Sequence, residues 1–146
     1  MKTDMVLGNI DEGRRRSNEI LNILNPEDAE FLYGEMHGGI GYCPFSFVEN
    51  GNNYVASVRT ASRKFVKIDS RMLKTNVAAA ESREMEHVLI LGFNWHLPEE
   101  RKIFILNDCM KYVHHVTKGK NYYVFKVEHI EELFNAGDIN VRKQSA

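Results

Sequence analysis

Apolar and polar positions alternate most clearly between residues 44 and 60. Pro44 to Val48 and Asn53 to Thr60 read as two strands, and Asn50-Gly51 between them is a strong two-residue hairpin turn. Upstream, Asp11 to Leu24 has a helical pattern, with Ile20, Leu21, Ile23 and Leu24 supplying its apolar face. Asn25-Pro26-Glu27-Asp28 then reads as an N-cap, a first-turn proline and two acids. It predicts a second helix through Ala29, Phe31, Leu32 and Met36, ended by Gly38-Gly39. Beyond the hairpin, Lys64 to Asp69 predicts a third, more exposed strand, and Val77 to Glu86 a helix. His87 to Trp95 is nearly all apolar, which predicts a central strand buried on both faces. A loop with Pro98 separates it from a second buried strand, Lys102 to Asp108, and Asn107 to Val116 reads as a short helix or turn. A strand over Tyr122 to Val127 and a helix over Glu128 to Asn135, ended at Gly137, close the pattern. This order predicts a mixed sheet with helices, either α/β or α+β.

At 146 residues the chain is expected to form one domain, residues 1–141, followed by a frayed tail, 142–146. That length buries roughly two-thirds of the unfolded surface, so neither a disulfide nor a metal is needed for folding. Hydrophobic residues make up 43% and charged residues 27%, as in a soluble globular protein. No apolar run reaches the ~18 residues of a membrane helix, and Met1-Lys2-Thr3-Asp4 does not lead into the apolar core of a signal peptide. Cys43 and Cys109 fit free, packed thiols in a reducing compartment. The expectation is a cytoplasmic protein with no membrane contact.

The net charge of −1 conceals an asymmetry. Arg59, Arg63, Lys64, Lys67, Arg71 and Lys74 face a single acid, Asp69, in one segment, which leaves −6 on the rest of the chain. Such a patch either attracts phosphates or is a solvated strand edge. Arg14, Arg15 and Arg16 early in the first helix oppose its macrodipole, which a nucleic acid, acidic side chains or solvation would offset. His114-His115, with Lys111, Lys118 and Lys120, form a second basic stretch, but adjacent residues on a strand point apart and so do not share a metal. Zinc-ligand spacing is absent. The glycine-rich run His37 to Tyr42 comes after a helix and is no nucleotide-binding fingerprint. Trp95, Phe93 and Tyr54 read as core.

The hairpin carries a resemblance. Phe45-Ser46-Phe47-Val48, then Ser57-Val58-Arg59-Thr60-Ala61-Ser62, resemble in layout the catalytic hairpin of the PD-(D/E)XK nucleases, the restriction-endonuclease-like fold. The strand Arg101 to Leu106, the strand Tyr122 to Val127 and the helix Ile130 to Phe134 are similar in order to the later elements of that fold, so the likeness spans roughly residues 27 to 136. The resemblance implies an α/β fold: a mixed sheet flanked by helices. The family hairpin sets an Asp on one strand and Glu-apolar-Lys on the next, which hold Mg²⁺ against a phosphodiester. Here the matching positions are Ser46, Ser57 and Arg59. Two hydroxyls do not replace two carboxylates, and Arg59 offers a phosphate-binding fork but no base.

The expectation is therefore a catalytically impaired nuclease-like protein, with no metal and no cofactor. It would bind DNA or RNA backbone, or a nucleic-acid enzyme, through Arg59, Arg63, Lys64 and Lys67, as phage or mobile-element regulators and blockers do. A first alternative is an active Mg²⁺-dependent endonuclease whose acids are displaced to Glu35 or Glu49, with Glu30 and Asp69 as further candidates. A second is a protein-binding inhibitor without nucleic-acid contact. Nuclease-like folds often pair, so homodimerisation stays open.

Overall fold

A computed structural model describes residues 16–32 and 44–144. Helix α1 has its described part at residues 16–24 and leads to β1, Glu27–Phe31. The hairpin is β2, Phe45–Glu49, and β3, Asn52–Thr60. Then come β4 (Phe65–Asp69), α2 (Ser70–Ser82) and β5 (Glu86–Phe93). The chain continues through β6 (Lys102–Asn107), β7 (His115–Val116), β8 (Tyr122–Lys126), α3 (Val127–Asn135) and β9 (Val141–Gln144).

The main sheet has the order β1-β2-β3-β5-β6-β9, and a smaller antiparallel sheet has the order β4-β8-β7. Among the described strands of the main sheet only β3 and β5 run parallel; the other pairings are antiparallel. A parallel pair needs a crossover, and β4 with α2 provides it. Each face of the sheet is covered. On one side Leu89, Leu91, Phe93, Phe104 and Leu106 pack against Leu73 of α2, Ile130 of α3 and Val66, Ile68 and Phe125 of the small sheet. On the other, Val88, Ile90, Ile103, Ile105, Phe45, Phe47 and Val58 pack with Ile20 of α1 and Trp95. The alternation within β5 and β6 thus feeds two cores at once, which is why both segments read as uninterrupted apolar runs.

The hairpin turn matches the sequence expectation. Asn50 and Gly51 have φ of 54° and 81°, the doubly positive turn that suits strand twist. Four other expectations are corrected. First, the helix predicted from Asn25 onward is instead β1. Asn25 has φ of 47°, and its N–H donates to the Leu21 carbonyl at 2.7 Å, so it ends α1 rather than starting a new helix. Asparagine serves at either end of a helix; pairing of β1 with β2 decides between them. The proposed end of that helix, Gly38-Gly39, lies outside the described residues, as do Glu35, Met36 and Cys43.

Second, α2 starts at Ser70, not near Val77. Asp69 caps it, its Oδ1 accepting from Met72 N–H at 2.9 Å. Third, Arg142 to Gln144 are not frayed. They form β9 on the edge of β6, Arg142 opposite Ile105 and Val141 opposite Leu106. Gly137, at φ of 88°, ends α3 and turns the chain back, and β6 would otherwise leave its backbone groups unpaired. Fourth, the end of the 107–116 segment, expected as helix or turn, is strand β7, after a 3₁₀ turn at Cys109–Tyr112. None of the described helices is long and apolar enough to cross a membrane.

Gly92 on β5 is required by packing. A Cβ there would lie 2.7 Å from the Trp95 ring and 3.0 Å from the Thr60 methyl. Gly92→Ala is expected to lower stability by about 1–3 kcal/mol, the usual cost of overpacking, and to change the emission of Trp95. Chemical denaturation monitored by fluorescence measures both effects; unchanged stability and emission would show that the indole is not seated against β5.

Candidate functional site

Strand register places the hairpin positions. Ser46 lies opposite Val55, and Glu30 of β1 lies opposite Ser46. Ser57 is therefore the diagonal neighbour of Ser46 on the same face, about 7 Å away, while Glu30 and Ser46 have Cβ atoms about 5 Å apart. Arg59 comes next on that face, half-buried, its guanidinium 3.8 Å from the Met72 sulfur in the first turn of α2. The hairpin thus sets Ser46, Ser57 and Arg59 on one face.

Ser57 is only 1% exposed. Its Oγ accepts from Asn76 Nδ2 at 2.9 Å and shares a hydrogen bond with His87 Nε2 at 2.8 Å. Asn76 is a buried polar residue on α2, and His87 stands on β5 in register with Val55. The three side chains tie the hairpin, the crossover helix and the central strand together. Burial pushes the His87 imidazole down to about 4, so it is neutral near pH 7. A hydroxyl can donate once and accept twice, so Ser57 is satisfied with either tautomer of His87. Asn76 and His87 were not found from the sequence: they lie 19 and 30 residues from Ser57, and only the parallel β3–β5 register and the α2 crossover bring them in.

The displaced-acid candidates separate. Glu49 is at the turn end of the hairpin, opposite Asn52, about 17 Å along the strand from Ser57. It accepts from Arg142 of β9 at 2.6 Å. Asp69 is engaged as the α2 cap. Glu30 is exposed beside Ser46, and Glu35 lies outside the described residues. Among the described residues no three His, Cys, Asp or Glu side chains are grouped to hold a metal ion.

Arg63, Lys64 and Lys67 are exposed, whereas Arg59 is half-buried. The turn carrying Arg63 and Lys64 is held at both ends: the Arg63 carbonyl accepts from Asn94 N–H at 3.2 Å, and the Lys64 carbonyl from Val127 N–H at 2.9 Å. Lys67 projects from the outer face of the small sheet, opposite Val124. The His114 and His115 rings, expected to point apart, meet at Nδ1–Nδ1 2.8 Å, because His114 precedes β7 and strand alternation does not govern it. Burial and the neighbouring Lys126, His115 and His129 lower the His114 pKa. The thiol of Cys109 is pushed up to about 12 by burial, so it stays protonated and unreactive.

A pocket of about 440 Å³ opens at the C-terminal end of β3, on the α1 side of the sheet. Thr60, Ala61 and Ser62 form one wall, Trp95, His96 and Arg101 another, and Arg16 and Glu19 of α1 a third. Backbone bonds fix the first two walls: Ala61 N–H to Gly92 carbonyl and Trp95 N–H to Ala61 carbonyl, each 2.9 Å.

The buried imidazole makes stability pH-dependent. The folded protein keeps His87 neutral down to about 4, whereas the unfolded chain takes up that proton near 6.5. In between the unfolded state binds more protons, so stability is full above pH 6.5 and falls as pH drops through 4. The loss is about 3 kcal/mol. Urea denaturation at about pH 7 and about pH 4.5 is expected to show it, and His87→Gln to flatten it; an identical slope in that variant would place the proton uptake elsewhere.

No family model and no curated protein matches this sequence. Among solved structures the chain is similar to Hjc, a Holliday junction resolvase from the archaeal hyperthermophile Archaeoglobus fulgidus. The TM-score is 0.58 at 8% identity, covering 80% of this chain and 85% of that one. At that identity the likeness establishes fold. The chain has an α/β, nuclease-like fold: a single domain with a six-stranded mixed sheet flanked by helices.

Proposed function

We propose that this protein binds nucleic-acid phosphates on a nuclease-like fold without cutting them. The observation that carries the reading is Ser57. Where the resemblance sets a metal-binding carboxylate, this chain has a buried hydroxyl, already bonded to Asn76 and His87. A hard divalent ion wants several oxygen ligands, and this position offers it neither charge nor access. Arg63 and Lys64, on a turn anchored at both ends, and Lys67 on the small sheet supply exposed positive charge. One structural neighbour is a Holliday junction resolvase, so branched DNA is the first ligand to try. The reading requires no cofactor.

Glu30 favours a second reading. Its register beside Ser46 leaves one carboxylate at the hairpin for an active, Mg²⁺-dependent enzyme with a displaced ligand.

One set of titrations separates the readings. Fluorescence anisotropy with a labelled duplex and a four-way DNA junction should show affinity falling steeply between about 50 and 200 mM salt. Lys64→Glu and Lys67→Glu should each weaken binding on every sequence and lower the salt slope by about 1. Salt-independent affinity would discard backbone binding, and capture of one stoichiometric protein partner with no DNA shift would point to an inhibitor. With Mg²⁺ or Mn²⁺ and enzyme in excess, no nicking is expected; nicking that is lost in Glu30→Gln would establish the second reading.

A further inference from the structure

The pocket beside Trp95 is chemically distinct from the hairpin position and from the exposed basic turn. Two guanidinium groups border it, Arg16 from α1 and Arg101 just before β6, and His96 and Ser62 also line it. Arg101 is preorganised: its Nε donates to the Trp95 carbonyl at 2.6 Å, and its guanidinium lies 4.2 Å over the indole ring. That arrangement uses one edge of the fork and holds the group in place. Glu19 opposes the arginines, leaving one net positive charge.

Trp95 is 5% exposed and backs this pocket, its ring packed against β5 at Gly92 and under the Arg101 guanidinium. A ligand that moves Arg101 is therefore felt by the indole.

We propose that this pocket binds a phosphoryl group, with Arg16 and Arg101 as its charge partners. Guanidinium forks match phosphate oxygens in geometry and charge. A carboxylate would satisfy one fork; a phosphate has oxygens for both arginines. The walls are continuous in sequence with the basic turn, since Ser62 precedes Arg63 and Lys64. A strand end seated here would lead its backbone toward those side chains. The inference extends the nucleic-acid reading, but the pocket can be loaded with phosphate alone and so tested apart from it.

Trp95 is the single tryptophan of the chain, so its fluorescence reports on the pocket directly. The full chain is titrated at constant ionic strength with potassium phosphate, and with one single-stranded oligonucleotide carrying either a 5′-phosphate or a 5′-hydroxyl. A saturable change in emission with inorganic phosphate, weakened about tenfold in Arg16→Gln, is the expected result. Arg16→Gln is preferred because Arg101 also holds the Trp95 backbone, and circular dichroism confirms that the variant is folded. Tighter binding of the 5′-phosphorylated strand identifies a terminal phosphate as the source; equal binding of both strands identifies an internal phosphodiester. Lys67→Glu is expected to weaken oligonucleotide binding and leave the phosphate titration unchanged, so failure of the basic turn and failure of the pocket are distinguishable. No emission change with any of the three ligands, or the same phosphate affinity in folded Arg16→Gln, would overturn the assignment.

Discussion

The parallel pairing of β3 with β5 constrains everything else in this molecule. Strands paired that way need a crossover between them, and here β4 and α2 make it. The crossover covers one face of the sheet while α1 covers the other, so the strands in the middle are buried twice over. Polar groups on them must then find partners inside the protein. Ser57, His87 and Asn76 come from the two parallel strands and the crossover helix, and they satisfy one another. The same pairing brings the ends of β3 and β5 side by side, where residues 60–62 and 95–96 become walls of one pocket.

This arrangement explains why a hydroxyl suits position 57. A carboxylate there would need compensation by a metal or a cation, since an uncompensated buried charge is costly. The chain instead has neutral partners around a neutral group, with burial holding His87 uncharged. The site is complete as a structural joint. Positive charge is kept elsewhere: exposed on Arg63, Lys64 and Lys67, and half-enclosed at Arg16 and Arg101.

Features governed by local chemistry were legible in the sequence. The Asn50-Gly51 turn, the apolar runs of β5 and β6 and the glycine stop after α3 all depend on nearby residues, and each forms where the pattern places it. The layout of the hairpin also sufficed for the fold. Features decided by distant pairing were not legible. Asn25-Pro26 has equal claims as a helix start and a helix end, and only the partner strand β2 resolves it. Gln144 and its neighbours carry no strand pattern, yet the open edge of β6 recruits them. At the site, the sequence yields Ser46, Ser57 and Arg59 as a set, because residues two apart share a face. It does not reveal Asn76 or His87, which depend on inter-element geometry.

The proposed function turns on Ser57 being a sealed polar joint and not part of a metal site. The most direct measurement is a crystal structure of the chain grown with Mn²⁺, with the ion located by its anomalous scattering. The account predicts no manganese peak within coordination distance of Ser46 or Ser57, and the Ser57 bonds to Asn76 and His87 intact. A peak coordinated by Glu30 and either serine, with that network opened, would contradict it.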